Sequence, residues 1–172
     1  MPQESVKLAL GRNTSMDKQP KMNLSIHNAY PPITPSALDA VEHRIGRPIP
    51  AAYRRFLLEH NGGWPEPGDF CITWADERQE QISVEWFLPV DTQDAIDLEA
   101  TLKVYQDRIP ETLFPVARAG GGGLVCIAAM GEQQDRVFFW DHEEEAEEGT
   151  APAWDNLYPV AESLDAFLAA LR

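Results

Sequence analysis

With 172 residues, 44% of them hydrophobic, the chain has a globular composition and suits one domain able to bury its own core. Fourteen bases against 28 acids leave a net charge of −14, a surface that repels nucleic acid and anionic membranes and draws in basic partners. No run approaches the roughly 20 apolar residues of a membrane span, and the N-terminus lacks the apolar core of a signal peptide.

Residues 1–21 mix polar residues with Gly and Pro and show no periodicity. They read as a disordered leader, or as an extension from an upstream start with Met22 as the initiator, before a domain over 22–172. Tyr30-Pro31-Pro32 is extended. Thr34 is placed to cap a helix with Pro35 in its first turn, and Leu38, Val41 and Ile45 form its apolar stripe. Gly46 ends that helix, and Pro48 and Pro50 keep the connection extended. A second helix buries Tyr53, Phe56 and Leu57, carries His60 in its last turn and stops at Asn61-Gly62-Gly63.

The segment from Trp64 to Asp69 reads as a proline-rich loop. Phe70, Ile72 and Trp74 then alternate as a strand, and Ile82, Val84, Trp86, Leu88 and Val90 as a longer one. Asp91 or Thr92 is placed to cap a third helix, with Leu98, Leu102, Tyr105 and Ile109 on its buried face and Pro110 at its end. After an extended Phe114–Ala117 and four glycines, the apolar run Leu124–Met130 predicts a central strand covered on both faces. Val137–Trp140 is its pairing strand. Trp154 and Tyr158 are expected to pin the returning chain, and a last helix from about Ser163 buries Leu164, Phe167, Leu168 and Leu171.

Cys71 and Cys126 lie in apolar, strand-like contexts without C-x-x-C spacing, so buried free thiols and a reducing cytoplasm are expected. Asp141-His142-Glu143 has the residue types of a metal or acid–base site. Neighbours on a strand point to opposite faces, so turn hydrogen bonding is the simpler role. The four glycines lack the lysine and the following helix of a phosphate cradle. His43 and His60 read as surface or capping residues. No metal or other cofactor is implied. Trp64, in a Gly/Pro loop, either packs down or stands out as a binding anchor. Acids gather in two loops: Asp76, Glu77 and Glu80, and Asp141 through Glu148 with Glu143, Glu144 and Glu145 at its heart. Both are candidates for steering and rim contacts with a basic partner.

Glu42 in the first stripe, Pro48-Ile49-Pro50, Tyr53, Phe56-Leu57 and Asn61-Gly62-Gly63 together resemble the opening of the SMI1/KNR4 family, also called the SUKH superfamily. Ile109-Pro110, Phe114–Ala117, the glycine turn with Leu124–Ile127, Val137–Glu143 and the Ala161–Leu168 ending resemble its later elements, in the expected order over roughly residues 30–172. The glycine turn departs from the pattern in lacking an Asn or Asp. The resemblance implies a single α+β domain, with a twisted, mainly antiparallel sheet and the helical pair and final helix packed around it. It further implies a non-enzymatic protein-binding domain, most simply an immunity protein that neutralises a bacterial toxin, with a basic nuclease domain as one such partner. A regulatory or scaffolding adaptor for a non-toxin protein is the alternative, and a hydrolase using Asp141 and His142 a remote one.

Overall fold

In the computed structural model, which describes residues 24–172, the helical hairpin is held by a carboxylate inside its own apolar stripe. Helix α1 (Pro35–Ile45) starts where Thr34 Oγ1 accepts the Ala37 N–H at 3.2 Å, and it ends at Gly46, whose φ of 72° is left-handed. Glu42 accepts the Ile49 N–H at 2.9 Å and pairs with Arg54 at 2.9 Å. It thereby ties the proline-bounded turn to helix α2 (Ala51–Glu59). His60 lies just past α2 with extended backbone, a correction to its expected place in the last turn. The Tyr53 hydroxyl is fully buried, 2.6 Å from the Leu88 carbonyl and 2.8 Å from that of Val116, and burial pushes its pKa well above the ordinary value.

Asn61 does more than stop a helix. Its buried amide donates to the Pro31 and Val90 carbonyls, each at 3.1 Å, and its carbonyl accepts the Val90 N–H at 2.9 Å. Every polar atom of the side chain is used, so three separate chain segments meet at this one residue. Gly63 has φ of 109°, and a Cβ there would stand 2.6 Å from the His27 carbonyl oxygen. This close approach lets β1 (Ser25–His27) pair antiparallel with β2 (Trp64–Glu66). The expected Trp64–Asp69 loop therefore contains a strand. Prolines interrupt its alternation, which hid it from a periodicity reading.

The main sheet has six antiparallel strands in chain order: β3 (Asp69–Thr73), β4 (Gln79–Phe87), β5 (Leu113–Ala119), β6 (Leu124–Ala128), β7 (Val137–Trp140) and β8 (Leu157–Ala161). The end strands approach through Trp74 and Tyr158, with ring centroids 4.8 Å apart, yet the sheet does not close into a barrel. Helix α4 (Leu164–Ala170) is capped by the Ser163 hydroxyl and buries Leu164, Phe167 and Leu168, with Leu171 buried just beyond it. Arg172 exchanges two backbone hydrogen bonds with Asp69, fastening the chain end to β3. The α+β class, the antiparallel sheet and the packing of α1, α2 and α4 on it agree with the expectation from sequence.

Three expectations need correction. Alternation along β4 breaks at a bulge between Val84 and Trp86, so Phe87 is fully buried and Trp86 only half-buried. Helix α3 is short, Leu98–Val104, and its cap is Asp97 rather than Asp91 or Thr92. The buried Asp97 carboxylate accepts the Glu99 N–H at 2.8 Å, and the Thr92 N–H and hydroxyl at 3.0 and 3.1 Å. It folds residues 92–97 into a loop around itself, while Asp91 takes φ of 56°. Met130 is 52% exposed, and Trp154 is 42% exposed although its ring edge meets Phe138.

β6 is interior and covered on both faces. Val125 and Ile127 point into the core under the helices, and Leu124, Cys126 and Ala128 join Ile109, Leu113, Phe138, Trp140 and Leu157 in a second apolar layer opposite. Tyr105 packs on this layer from outside. Cys126 is a fully buried free thiol whose pKa burial pushes up, whereas Cys71 is only half-buried. Trp140, which ends β7 in this layer, leads directly into the acidic residues 141–148.

Candidate functional site

The long acidic loop hangs from the end of β7, where Trp140 is completely buried. Asp141 follows with its carboxylate accepting the Glu143 N–H at 2.9 Å, and its carbonyl accepts the Asn156 amide at 2.9 Å. This is a turn role, with the backbone reversed at the end of a strand. His142 Nδ1 lies 3.1 Å from Glu145, and its ring centroid is 5.9 Å from that of Trp140. Among the described residues no group of three His, Cys, Asp or Glu side chains comes together in a way that could hold a metal.

Glu145 is the loop's anchor. Both its oxygens meet the Arg108 guanidinium, at 2.5 and 2.7 Å, in the two-pronged geometry that makes such pairs strong. Arg108 in turn lies over the rings of Tyr105, at 4.6 Å, and Trp140, at 6.0 Å. The hydrogen bonds from Arg108 hold the Glu145 carboxyl below the usual carboxylate range, with His142 adding to the effect. Glu144 accepts the Tyr158 hydroxyl at 2.5 Å. Burial, and then this hydrogen bond, push the Tyr158 phenol up to about 12. Glu143, Glu147 and Glu148 remain exposed.

This anchoring shapes a trench. A hollow of about 720 Å³ lies between the end of α1 and the α3–β5 connection, floored by Leu102, Tyr105, Ile109 and Leu113. A second, of about 670 Å³, is walled by Asp107, Arg108 and residues 145–150. Gln106, Asp107 and Pro152 line both, so the two are compartments of one depression.

The first acidic loop is built differently. Arg78 pairs with Glu80 at 3.0 Å and approaches Asp76 at 3.7 Å, and the Trp74 indole donates to Glu80 at 3.0 Å. Glu77 is exposed at φ of 66°. Trp64 is half-buried, its ring stacked 4.3 Å from His27, which bonds Glu66 at 2.8 Å. The structure brings Glu145 to the wall of the trench, whereas Glu144 turns to Tyr158 of the first core, whose phenol also feels Asp76, and Asp76, Glu77 and Glu80 sit in the β3–β4 turn. Arg108, Tyr105 and Asp107 are the site residues that sequence reasoning missed. The Arg108–Glu145 contact spans 37 positions, and nothing local to either residue marks it.

Comparison with known proteins gives two findings. The sequence model described as SMI1 / KNR4 family (SUKH-1) matches residues 32–170. The SPbeta prophage-derived uncharacterized protein YokK of Bacillus subtilis (strain 168) is 28% identical over 129 residues, which is 66% of this chain. The chain spans 65% of that relative's length.

Proposed function

Since the chain belongs to the SMI1/KNR4 family, we propose that it is a non-enzymatic, protein-binding domain that holds and neutralises a cognate bacterial toxin. The family is generally associated with immunity proteins, and its residues here are spent on architecture. Glu42, Tyr53 and Asn61 all make buried or half-buried internal hydrogen bonds. Asp141 and His142, which have acid–base character, are engaged in the loop that carries them, Asp141 with the Glu143 N–H and His142 with Glu145.

The observation that carries the reading is the anchored acidic loop. Residues 141–155 hold seven acids and no Lys or Arg, and the Arg108–Glu145 pair fixes them over the second apolar layer. A fixed field of one sign beside an apolar hollow is suited to a basic protein surface, such as the substrate cleft of a nuclease toxin. It speeds encounter and fits less well to acidic competitors.

The test starts from the neighbouring genes: a toxic C-terminal domain encoded there is co-expressed with this chain, and the two purified proteins are then titrated. Restored growth together with submicromolar binding is the expected result, in the range of specific interfaces of about 1,600 Å². Killing that persists with this chain in molar excess would overturn the immunity reading.

A further inference from the structure

We propose that the two-compartment trench is the docking site for one segment of a basic protein partner, with an apolar side chain set beside two or more Lys or Arg residues. The proposal deepens the toxin-binding reading and rests on it for the partner's biological identity, though not for its chemistry.

The compartments ask for different things. In the first, three bases (Arg44, Arg47, Lys103) and three acids (Glu99, Asp107, Glu111) share the lining, so charge there is balanced. Arg44 is occupied by Glu99 at 2.7 Å and Asp91 at 3.3 Å, and Arg47 by the Leu113 carbonyl at 3.1 Å and the Phe114 ring. What remains on offer is the floor of Leu102, Tyr105, Ile109 and Leu113, which suits a Leu, Phe or Met side chain.

The second compartment is acidic. Its one base, Arg108, is consumed by Glu145, and among the described residues Asp107, Glu147 and Glu148 have no ion-pair partner. Neighbouring unpaired carboxylates repel one another, and a bound cation relieves that repulsion. The shared wall of Gln106, Asp107 and Pro152 puts the apolar and acidic demands side by side, within reach of one peptide segment. A purely apolar helix would leave the acids unpaired, and a nucleic acid would be repelled.

The probes are three labelled dodecapeptides: one joining Leu-Phe to a Lys/Arg run, one with the same bases in a Gly/Ser background, and one with Leu-Phe in an acidic background. Binding to the full chain is read by fluorescence anisotropy, and its location by amide shift changes over residues 102–111 and 145–150. The mixed peptide is expected to bind about tenfold more tightly than the basic one, from a single seated apolar side chain. It should shift both stretches. The paired substitution Glu147→Lys and Glu148→Lys should weaken it about tenfold. The same charge change at Asp76→Lys and Glu77→Lys, on the other loop, should weaken it less than about twofold at physiological salt. All four positions are exposed, so the folds of both variants should survive.

Equal weakening by the two variants would assign the attraction to overall charge and overturn the trench, as would failure of the mixed peptide to bind. The toxin experiment separates the two readings. If the toxin domain binds and the Glu147/Glu148 variant holds it as tightly as the parent does, the trench falls while the immunity reading stands. If the mixed peptide binds in the trench and the toxin domain does not bind at all, the trench stands and the partner is another basic protein.

Discussion

The two faces of the main sheet are closed by different means. One lies under α1, α2 and α4, where the helices lower apolar stripes onto Val116, Val125, Ile127 and Phe139. The other is covered by Tyr105, Ile109 and the chain returning from Trp140 to Leu157, held by one ion pair and a few turn hydrogen bonds. The helical cover is stabilised by burial along whole elements. The loop cover depends on contacts between residues far apart in sequence, each replaceable by water. Lower local stability and exposed polar groups are where binding surfaces tend to lie, which is why the second face carries the candidate site.

The largest expected effect tests the helical side. Phe56 is 6% exposed and packs on Phe87 at 4.6 Å and on Tyr53 at 5.7 Å, so Phe56→Ala should cost about 3–5 kcal/mol in urea unfolding. A loss under about 1 kcal/mol would mean that the neighbouring rings close the cavity, and that this face is no more cooperative than the other.

A smaller effect is expected at the loop cover. Arg108→Ala leaves Glu145, 18% exposed, with only His142 beside it and uncovers Tyr105 and Trp140, for a cost of about 1–2 kcal/mol. The sign of its pH dependence follows from Arg108 lowering the Glu145 pKa. A group lowered on folding adds stability above its unfolded value of about 4.3, and that contribution is lost as pH falls through the lower folded value. The difference between parent and variant should therefore be full at pH 7 and shrink on acidification below about pH 4. Hydrogen exchange should speed up in residues 141–150 and stay unchanged in α2. Uniform acceleration across the chain would mean that the two covers unfold as one unit.

This contrast also decides what was legible in the sequence. The helical pair and α4 carry their instructions locally: Thr34, Gly46 and Ser163 are caps, and Leu38, Val41, Phe56 and Phe167 keep helical spacing. Strands β6 and β7 declared themselves by unbroken apolar runs. The start of α3 is ambiguous in the sequence because Asp91, Thr92 and Asp97 all have capping chemistry. The choice falls to burial of Asp97, which is a tertiary fact. β2 was hidden by its prolines, and the β4 bulge by an alternation that continues in sequence but not in space. At the site, the acids of residues 141–148 were visible as charge. That Glu145 and Glu144 are tied inward while Glu147 and Glu148 face the trench depends on Arg108 and Tyr158, which lie far from them in sequence.

The smallest effect on stability should come with a clear effect on rate. A steering test that neutralised Glu143, Glu144 and Glu145 together would confuse two roles, since Glu145 holds Arg108 and Glu144 holds the Tyr158 hydroxyl. Glu143, Glu147 and Glu148 are exposed, and none has an ion-pair partner among the described residues, so their replacement by Gln isolates the field. Stability should move by less than about 0.5 kcal/mol, as for surface changes away from caps and cores. Association with the toxin domain should slow several-fold at low salt, with a smaller change in dissociation, because rim charges act on encounter. The screening length falls from about 30 Å at 0.01 M salt to about 8 Å at 0.15 M, so the gap between parent and variant should narrow as salt rises. Stopped-flow mixing at three salt concentrations gives the answer. Equal, salt-independent rates would leave the acidic loop as solubilising surface, and the two faces of the sheet would then differ in how they are closed but not in what they do.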